Sequence, residues 1–160
     1  MKGIINVHVD DYGLGTEISN NIIDSINNGI VNSVSIICNT KDFNENINKL
    51  KKSNCDVRVS LHLNLVEGSP LALESKVNML VNKVGEFRHS FISLWLKYIL
   101  SSKKKKIKIR DQIRIEIANQ IEKYSEYCMG SSPLRLDSHM HLHMIPFIFD
   151  IIIELSEHYK

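Results

Sequence analysis

Three short polar clusters hold the residue types that metal-assisted hydrolysis requires. The pair Asp10-Asp11 follows an apolar run near the start of the chain, His62 and Asn64 stand in its middle, and the segment DSHMHLHMIP begins at Asp137. Carboxylate and imidazole groups are common ligands of divalent metal ions, and a further carboxylate can accept a proton from an attacking water. Together the three clusters favour a divalent metal ion in a hydrolytic site.

The last cluster places a histidine at every second position. Side chains alternate between two faces along an extended segment, so its polar residues are predicted to face the same way. These residues are Asp137, His139, His141 and His143. Imidazoles gathered on one face lose hydration and repel one another when protonated, unless a ligand organises them. The spacing therefore indicates a face built for polar chemistry.

Each of the other two clusters, taken alone, has a simpler interpretation. A single histidine such as His62 is more often a half-buried, hydrogen-bonded side chain than a metal ligand. The Asp10-Asp11 pair alone would suit a turn or a helix cap. Only the combination of the three clusters favours a metal site.

The elements that must position these clusters alternate between strand and helix. Strands are predicted at 4–9, 31–38, 57–65 and 134–139, since these segments are rich in apolar and β-branched residues. Helices are predicted from an N-cap at Thr16 to a stop at Gly29, at 42–51, at 91–100, around 113–124, and at 147–158 after Pro146. The lysine run 103–106 is predicted to connect two of these helices, and the last helix is apolar nearly all round, which predicts cover on several sides.

This alternation is typical of βαβ units and predicts an α/β fold with mainly parallel strands. The polar clusters fall at or near the carboxyl ends of the first, third and fourth strands. In parallel α/β folds ligands bind at those ends, so residues far apart in sequence are expected to converge there.

Composition narrows the class of protein. The 160 residues are 43% hydrophobic and 24% charged, which predicts one globular domain over residues 1–160. A formal net charge of +2 gives no reason to expect a nucleic-acid partner. The three cysteines are widely spaced without a CxxC pair, and the apolar stretches are shorter than the about 20 residues of a membrane span. A cytoplasmic protein without a membrane segment is therefore expected.

Three motifs in order, HVDDYGLG, SLHLNLVEGSPL and LRLDSHMHLHMIP, resemble those of the YdjC/ChbG family of carbohydrate deacetylases. The resemblance implies a distorted (β/α) barrel of the polysaccharide-deacetylase-like type, incomplete in this chain. It also implies a metal-dependent hydrolase that removes acetyl groups from N-acetylglucosamine-containing oligosaccharides such as chito-oligosaccharides. The cofactor would be Mg²⁺ or Zn²⁺.

The resemblance also implies roles for matched residues. Asp11, His62 and His139 would be the metal ligands, and Asp10 the general base. Three protein ligands would leave a coordination position open for water and the acetamide oxygen. The remaining polar residues are expected to contact the substrate or support the ligands. They are His8, where family members usually have asparagine, and Asn64, His141 and His143.

Family members continue beyond the last helix predicted here, and a histidine in that further segment is expected to protonate the leaving amine. The chain is therefore expected to be a truncated or shortened member, and burial of its unfinished edge against a second copy predicts a homo-oligomer. An alternative is a catalytically silent sugar- or metal-binding fragment of this fold. A metal-assisted phosphoesterase is a third hypothesis, although Arg135 is the only arginine near the clusters that could clamp a phosphate.

Overall fold

The computed structural model describes residues 5–53, 57–128 and 134–159. Its centre is a four-stranded sheet with the strand order β1-β2-β3-β4, in which every neighbouring pair is parallel. The strands are β1 (His8–Tyr12), β2 (Ser33–Ile36), β3 (Arg58–Leu63) and β4 (Leu136–Ser138). The predicted parallel α/β fold is confirmed, and over the described residues the sheet is open, without barrel closure.

The helices lie between and after these strands. They are α1 (Thr16–Asn27), α2 (Phe43–Lys52), α3 (Glu74–Val77), α4 (Phe91–Ile99), α5 (Lys103–Cys128) and α6 (Pro146–Ser156). The long helix α5 packs against α6, α3 and β3. Its apolar stripe, which includes Ile113, Ile117 and Ile121, is buried at the centre of the core.

The two faces of the sheet differ in chemistry. Strand register and the alternation of side chains place polar residues from all four strands side by side on one face of the sheet. These residues are His8, Asp10, Ser33, Ser35, Ser60, His62 and Asp137. The opposite face carries buried apolar residues that include Val34, Ile36, Leu61 and Leu63. One face therefore joins the core, and the other gathers polar side chains.

Two predicted boundaries are wrong in ways that matter for the site. The first strand was expected at 4–9; Ile4 lies outside the described residues, and pairing begins only at His8. Val7 still contacts the entrance to β2, because its carbonyl accepts hydrogen bonds from the amides of Asn32 and Ser33. Asp10 and Asp11 lie inside β1 and not beyond it.

The lysine run 103–106 is the second correction. It forms the first turn of α5 and does not connect two helices. Lysine is a good helix former, and the amide of Lys106 already donates to the carbonyl of Ser102, so the helix starts before the run ends. The connection from α4 shrinks to residues 100–102.

The helix ends show one further difference. Gly15 and not Thr16 is the N-cap of α1, without a side-chain capping bond, whereas the stop at Gly29 is confirmed by its positive φ of 71°. Pro146 opens α6 as predicted. Within this chain α6 is covered on one side, where it packs on the core, while Phe149 and Ile153 are exposed, so the expected cover on several sides stays a prediction.

Candidate metal centre

A bulge in β1 brings Asp11 to the polar face of the sheet. Val9 pairs with Val34, but Ile36 pairs with Tyr12, so β1 holds one residue more than β2 over this stretch. Regular alternation would send Asp11 to the apolar face, where Tyr12 lies instead. Asp11 takes a left-handed conformation with a φ of 64°. The extra residue allows two consecutive aspartates to serve one site.

Asp11, His62 and His139 come together at this bulge. The Asp11 Oδ1 atom lies 3.1 Å from His62 Nε2 and 2.7 Å from His139 Nδ1. One ligand atom from each of the three residues lies within 4.8 Å of the others. Ligand atoms about 2.1 Å from a tetrahedral ion are about 3.4 Å apart, so the cluster has the size and the donor types of a metal site. These three residues could hold a divalent ion.

The two imidazoles are buried and the carboxylate is partly open. The side chains of His62 and His139 are 3% and 8% exposed, whereas that of Asp11 is 36% exposed. The ring centroids of the two histidines lie 5.9 Å apart in an edge-to-face arrangement. Solvent therefore reaches the cluster from the side of Asp11.

Asp137 orients His62 from the side facing away from Asp11. Its Oδ1 lies 2.5 Å from His62 Nδ1, and the Ser35 hydroxyl lies 3.0 Å from the same nitrogen. Burial lowers the pKa of His62, but the hydrogen bond and charge of Asp137, with the charges of Asp11 and Asp10, raise the pKa above its usual value. Burial likewise raises the pKa of Asp137, and bonding to His62 with the charges of His62 and His8 lowers it overall. A carboxylate behind a histidine fixes which ring nitrogen faces a metal.

Asp10 lies beside these three ligands and outside their group. Its side chain is 51% exposed, and its Oδ1 lies 3.2 Å from His8 Nε2 and 3.3 Å from the Ser35 hydroxyl. His8 also approaches Asp137, with 3.3 Å between Nε2 and Oδ2. The structure thus places Asp10 next to Asp11 with much of its carboxylate open to solvent, and places His8 between two carboxylates.

The predicted histidine ladder is wrong beyond Ser138. Residues His139–Met144 form a 3₁₀ turn in which Met140 and His141 both have a φ of 54°. The strand ends because the Ser138 hydroxyl accepts a hydrogen bond from the amide of His143 and bonds its Nδ1 as well. Only His139 faces Asp11; His141 is exposed and its ring lies 6.2 Å from that of His143.

Asn64 shapes the loop that follows β3. Its side-chain amide donates to the Glu67 carbonyl and to Asn39 Oδ1, and its oxygen accepts from the amides of Val66 and Glu67. Within this loop Glu67 Oε1 lies 3.4 Å from His139 Nε2. Sequence reasoning placed Asn64 near the substrate but did not identify Glu67, whose only signal was a turn-like Glu-Gly-Ser-Pro stretch.

Two buried polar residues of α5 hold the same loop from below. Glu116 accepts hydrogen bonds from the amides of Leu71 and Ala72, and Gln120 bonds both the amide and the carbonyl of Asn64. Burial raises the pKa of Glu116, although these hydrogen bonds and one from Gln120 oppose the shift. These contacts tie the loop next to His139 to α5, whose apolar stripe is buried in the core.

Comparison with known proteins identifies the family of this chain. The model of the YdjC-like protein family matches residues 4–160. The chain belongs to the YdjC-like family. That assignment covers all three polar clusters and nearly every element of the fold.

The YdjC-like chain is similar to several curated proteins named as deacetylases. It is 34% identical to a carbohydrate deacetylase of Clostridium beijerinckii and 33% identical to one of Thermoanaerobacter pseudethanolicus, in both cases over all of this chain. A chitooligosaccharide deacetylase of Escherichia fergusonii is 26% identical over 98% of it. The chain spans 58%, 59% and 56% of the length of these three relatives.

A solved structure shares the fold of the YdjC-like chain. It is that of an Enterococcus faecalis protein assigned to cellobiose-phosphate cleavage, with a TM-score of 0.78 and 21% identity. The alignment covers 96% of this chain and 55% of that protein. Among the described residues of the YdjC-like chain, no helix has the length and apolar character needed to cross a membrane.

Proposed function

We propose that this YdjC-like chain carries the metal centre of a hydrolase that removes acetyl groups from N-acetylglucosamine-containing oligosaccharides. The observation that carries the proposal is the convergence of Asp11, His62 and His139 with Asp10 beside them. The names of the curated relatives support the reaction and the class of substrate. The proposal takes residues 1–160 as one deacetylase-like domain.

Asp11, His62 and His139 would hold the ion. A bound divalent ion would polarise the acetamide carbonyl and lower the pKa of a water molecule. Two imidazoles favour zinc, and a site with one carboxylate and open positions also admits magnesium. Asp137 would support the site by holding His62 Nδ1, so that Nε2 faces Asp11.

Asp10 would act as the general base at its carboxylate. The group is half exposed and adjacent to a proposed metal ligand, so its carboxylate could accept a proton from a water bound to the ion at Asp11. The Ser35 hydroxyl and His8 Nε2 both lie near Oδ1 and would keep the carboxylate in place. In this proposal Asp11 binds the catalytic ion, and Asp10 accepts the proton from the attacking water.

The remaining polar residues would serve the substrate or the ligands. His141 and Met140 are exposed on the 3₁₀ turn that begins at His139, where a sugar chain could contact them. His143 is bonded to Ser138 and would stabilise this turn. Asn64 would position the loop that carries Glu67 towards His139.

Acetate release from N,N′-diacetylchitobiose tests the proposal. The purified chain is stripped with chelator and assayed with and without added Zn²⁺ or Mg²⁺. We expect metal-dependent release, and Asp10→Asn should reduce it by about 10²- to 10⁴-fold while leaving the ion at Asp11, His62 and His139 in place. Asp24→Asn, an exposed aspartate on α1, is the matched control and should change nothing.

Two outcomes would contradict parts of this assignment. Loss of the tightly bound ion in Asp10→Asn would show that Asp10 is a ligand of the ion at Asp11 and not the base. A chain that binds the ion at Asp11 but releases no acetate would be a silent metal-binding module of this fold.

A further inference from the structure

A second group of potential ligands lies on the same polar face of the sheet. His8 Nε2 is 3.2 Å from Asp10 Oδ1 and 3.3 Å from Asp137 Oδ2, and one ligand atom from each residue lies within 4.8 Å of the others. We propose that His8, Asp10 and Asp137 form a second, weaker site for a divalent cation such as Zn²⁺, whose occupancy masks Asp10.

The spacing of these atoms fits long hydrogen bonds and would also admit a shared metal ion. An N–H donor usually lies about 2.9 Å from its oxygen acceptor. Tetrahedral ligands about 2.1 Å from a zinc ion are about 3.4 Å from each other, close to the two distances observed here. A shared ion would therefore fit between the imidazole and both carboxylates with little movement of these side chains.

The His8 ring is held in the orientation that a ligand needs. Its Nδ1 lies 2.7 Å from the hydroxyl of Ser33, a buried residue on the neighbouring strand. In the tautomer in which Nδ1 donates to this hydroxyl, Nε2 would offer its lone pair to an ion between Asp10 and Asp137. Metal-binding histidines are usually fixed in this way through their other ring nitrogen.

Asp137 is fixed as well, because each of its oxygens has a separate role. Oδ1 bonds His62 Nδ1 at 2.5 Å, which leaves Oδ2 directed at His8. Over the part of the chain that the structure describes, the ion pairs of Asp10 and Asp137 involve histidine only, without lysine or arginine. A divalent cation bound between Asp10 and Asp137 would balance the negative charge of the two carboxylates.

The second site should bind more weakly than the first. The side chains of His8, Asp10 and Asp137 are 30%, 51% and 33% exposed, whereas the two imidazoles of the first site are buried. Water competes better for an ion at an exposed site and screens its attraction to the carboxylates.

The functional consequence rests on the proposed function. An ion bound at Asp10 Oδ1 occupies the carboxylate that would accept the proton from water. Excess metal should therefore slow hydrolysis, although metal at the first site promotes it.

Equilibrium dialysis of the chelator-stripped chain against a Zn²⁺ series tests the site itself. We expect two ions per chain, with the second bound at least tenfold more weakly. His8→Asn should weaken the second site a further tenfold or more and leave the first intact, so that retained tight binding also shows that the variant is folded. His158→Asn, an exposed histidine near the end of α6, is the matched control and should keep both ions.

One ion per wild-type chain, or two unchanged affinities in His8→Asn, would overturn the second site. Acetate release over the same Zn²⁺ series tests the masking. We expect the rate to rise with the first ion and fall as the second binds; a rate that keeps rising would overturn the masking. A chain that binds both ions but never releases acetate would refute the proposed function while leaving the second site supported.

Discussion

Asp137→Asn isolates the charge that supports His62. The substitution keeps the shape of the side chain and a carbonyl oxygen that can still accept the His62 Nδ1 hydrogen bond, now 2.5 Å long. What it removes is the negative charge behind the ring, which strengthens the imidazole as a donor to a metal at Nε2. At the first metal site, the variant therefore weakens the support of His62 while all three proposed ligands stay in place.

The expected size of the effect follows from this geometry. Removing a group that hydrogen-bonds to a metal-binding side chain typically lowers metal affinity by 10- to 100-fold, which corresponds to about 1.4–2.7 kcal/mol. Asp137→Asn should fall near the lower end, because the hydrogen bond can persist when only the charge is lost. His62→Asn, which removes the imidazole itself, should cost more than Asp137→Asn.

The assay is competition between the chain and a chromophoric chelator for Zn²⁺, which reports the tight site. Asp150→Asn provides a matched control, since Asp150 is exposed on α6 and pairs with Arg110. A tight-site affinity within twofold of wild type in Asp137→Asn would refute the reasoning. It would mean that His62 binds no metal or that its orientation does not depend on Asp137.

Two further predictions concern stability and pH. Ile117→Ala, in the buried stripe of α5, should lower the free energy of unfolding by about 2–5 kcal/mol in urea denaturation. The partly exposed Ile115→Ala should cost much less, and equal losses would contradict the packing described. Burial, with the charges of Arg88 and Lys105, lowers the pKa of Lys97 from 10.5 to about 8. Between those values the unfolded chain binds the proton more tightly, so this contribution to stability rises with pH; the rise should be absent in Lys97→Met, and an identical pH profile would contradict it.

The parallel sheet could be predicted because its signals are local. Apolar, β-branched runs separated by helical spacing identified all four strands and placed His62 correctly near the end of β3. The three polar clusters were predicted to converge at one edge of the sheet, and the distances between Asp11, His62 and His139 agree with that expectation. The sequence therefore predicted those features of the site that depend only on the order of strands and helices.

The bulge in β1 could not be predicted in the same way. It depends on how the ladder between β1 and β2 closes at Tyr12 and Ile36, which is a tertiary property. Without the bulge, Asp10 and Asp11 would point to opposite faces of the sheet. The family resemblance placed both aspartates in one site, but the strand pattern alone did not explain how both side chains could lie there.

The course of the third cluster was also beyond the sequence pattern. Alternating histidines suit an extended strand, but the Ser138 hydroxyl bonds His143 and turns the chain into a 3₁₀ segment. The contact between Asp137 and His62 was missed for a related reason, since it depends on the register between β3 and β4.

The most direct test of the metal centre is a crystal of the chain grown with one equivalent of Zn²⁺ and measured at the zinc absorption edge. The account predicts that the strongest anomalous peak lies within bonding distance, about 2.0–2.2 Å, of Asp11, His62 and His139. A strongest peak elsewhere, or an ion that leaves either histidine unbound, would contradict it.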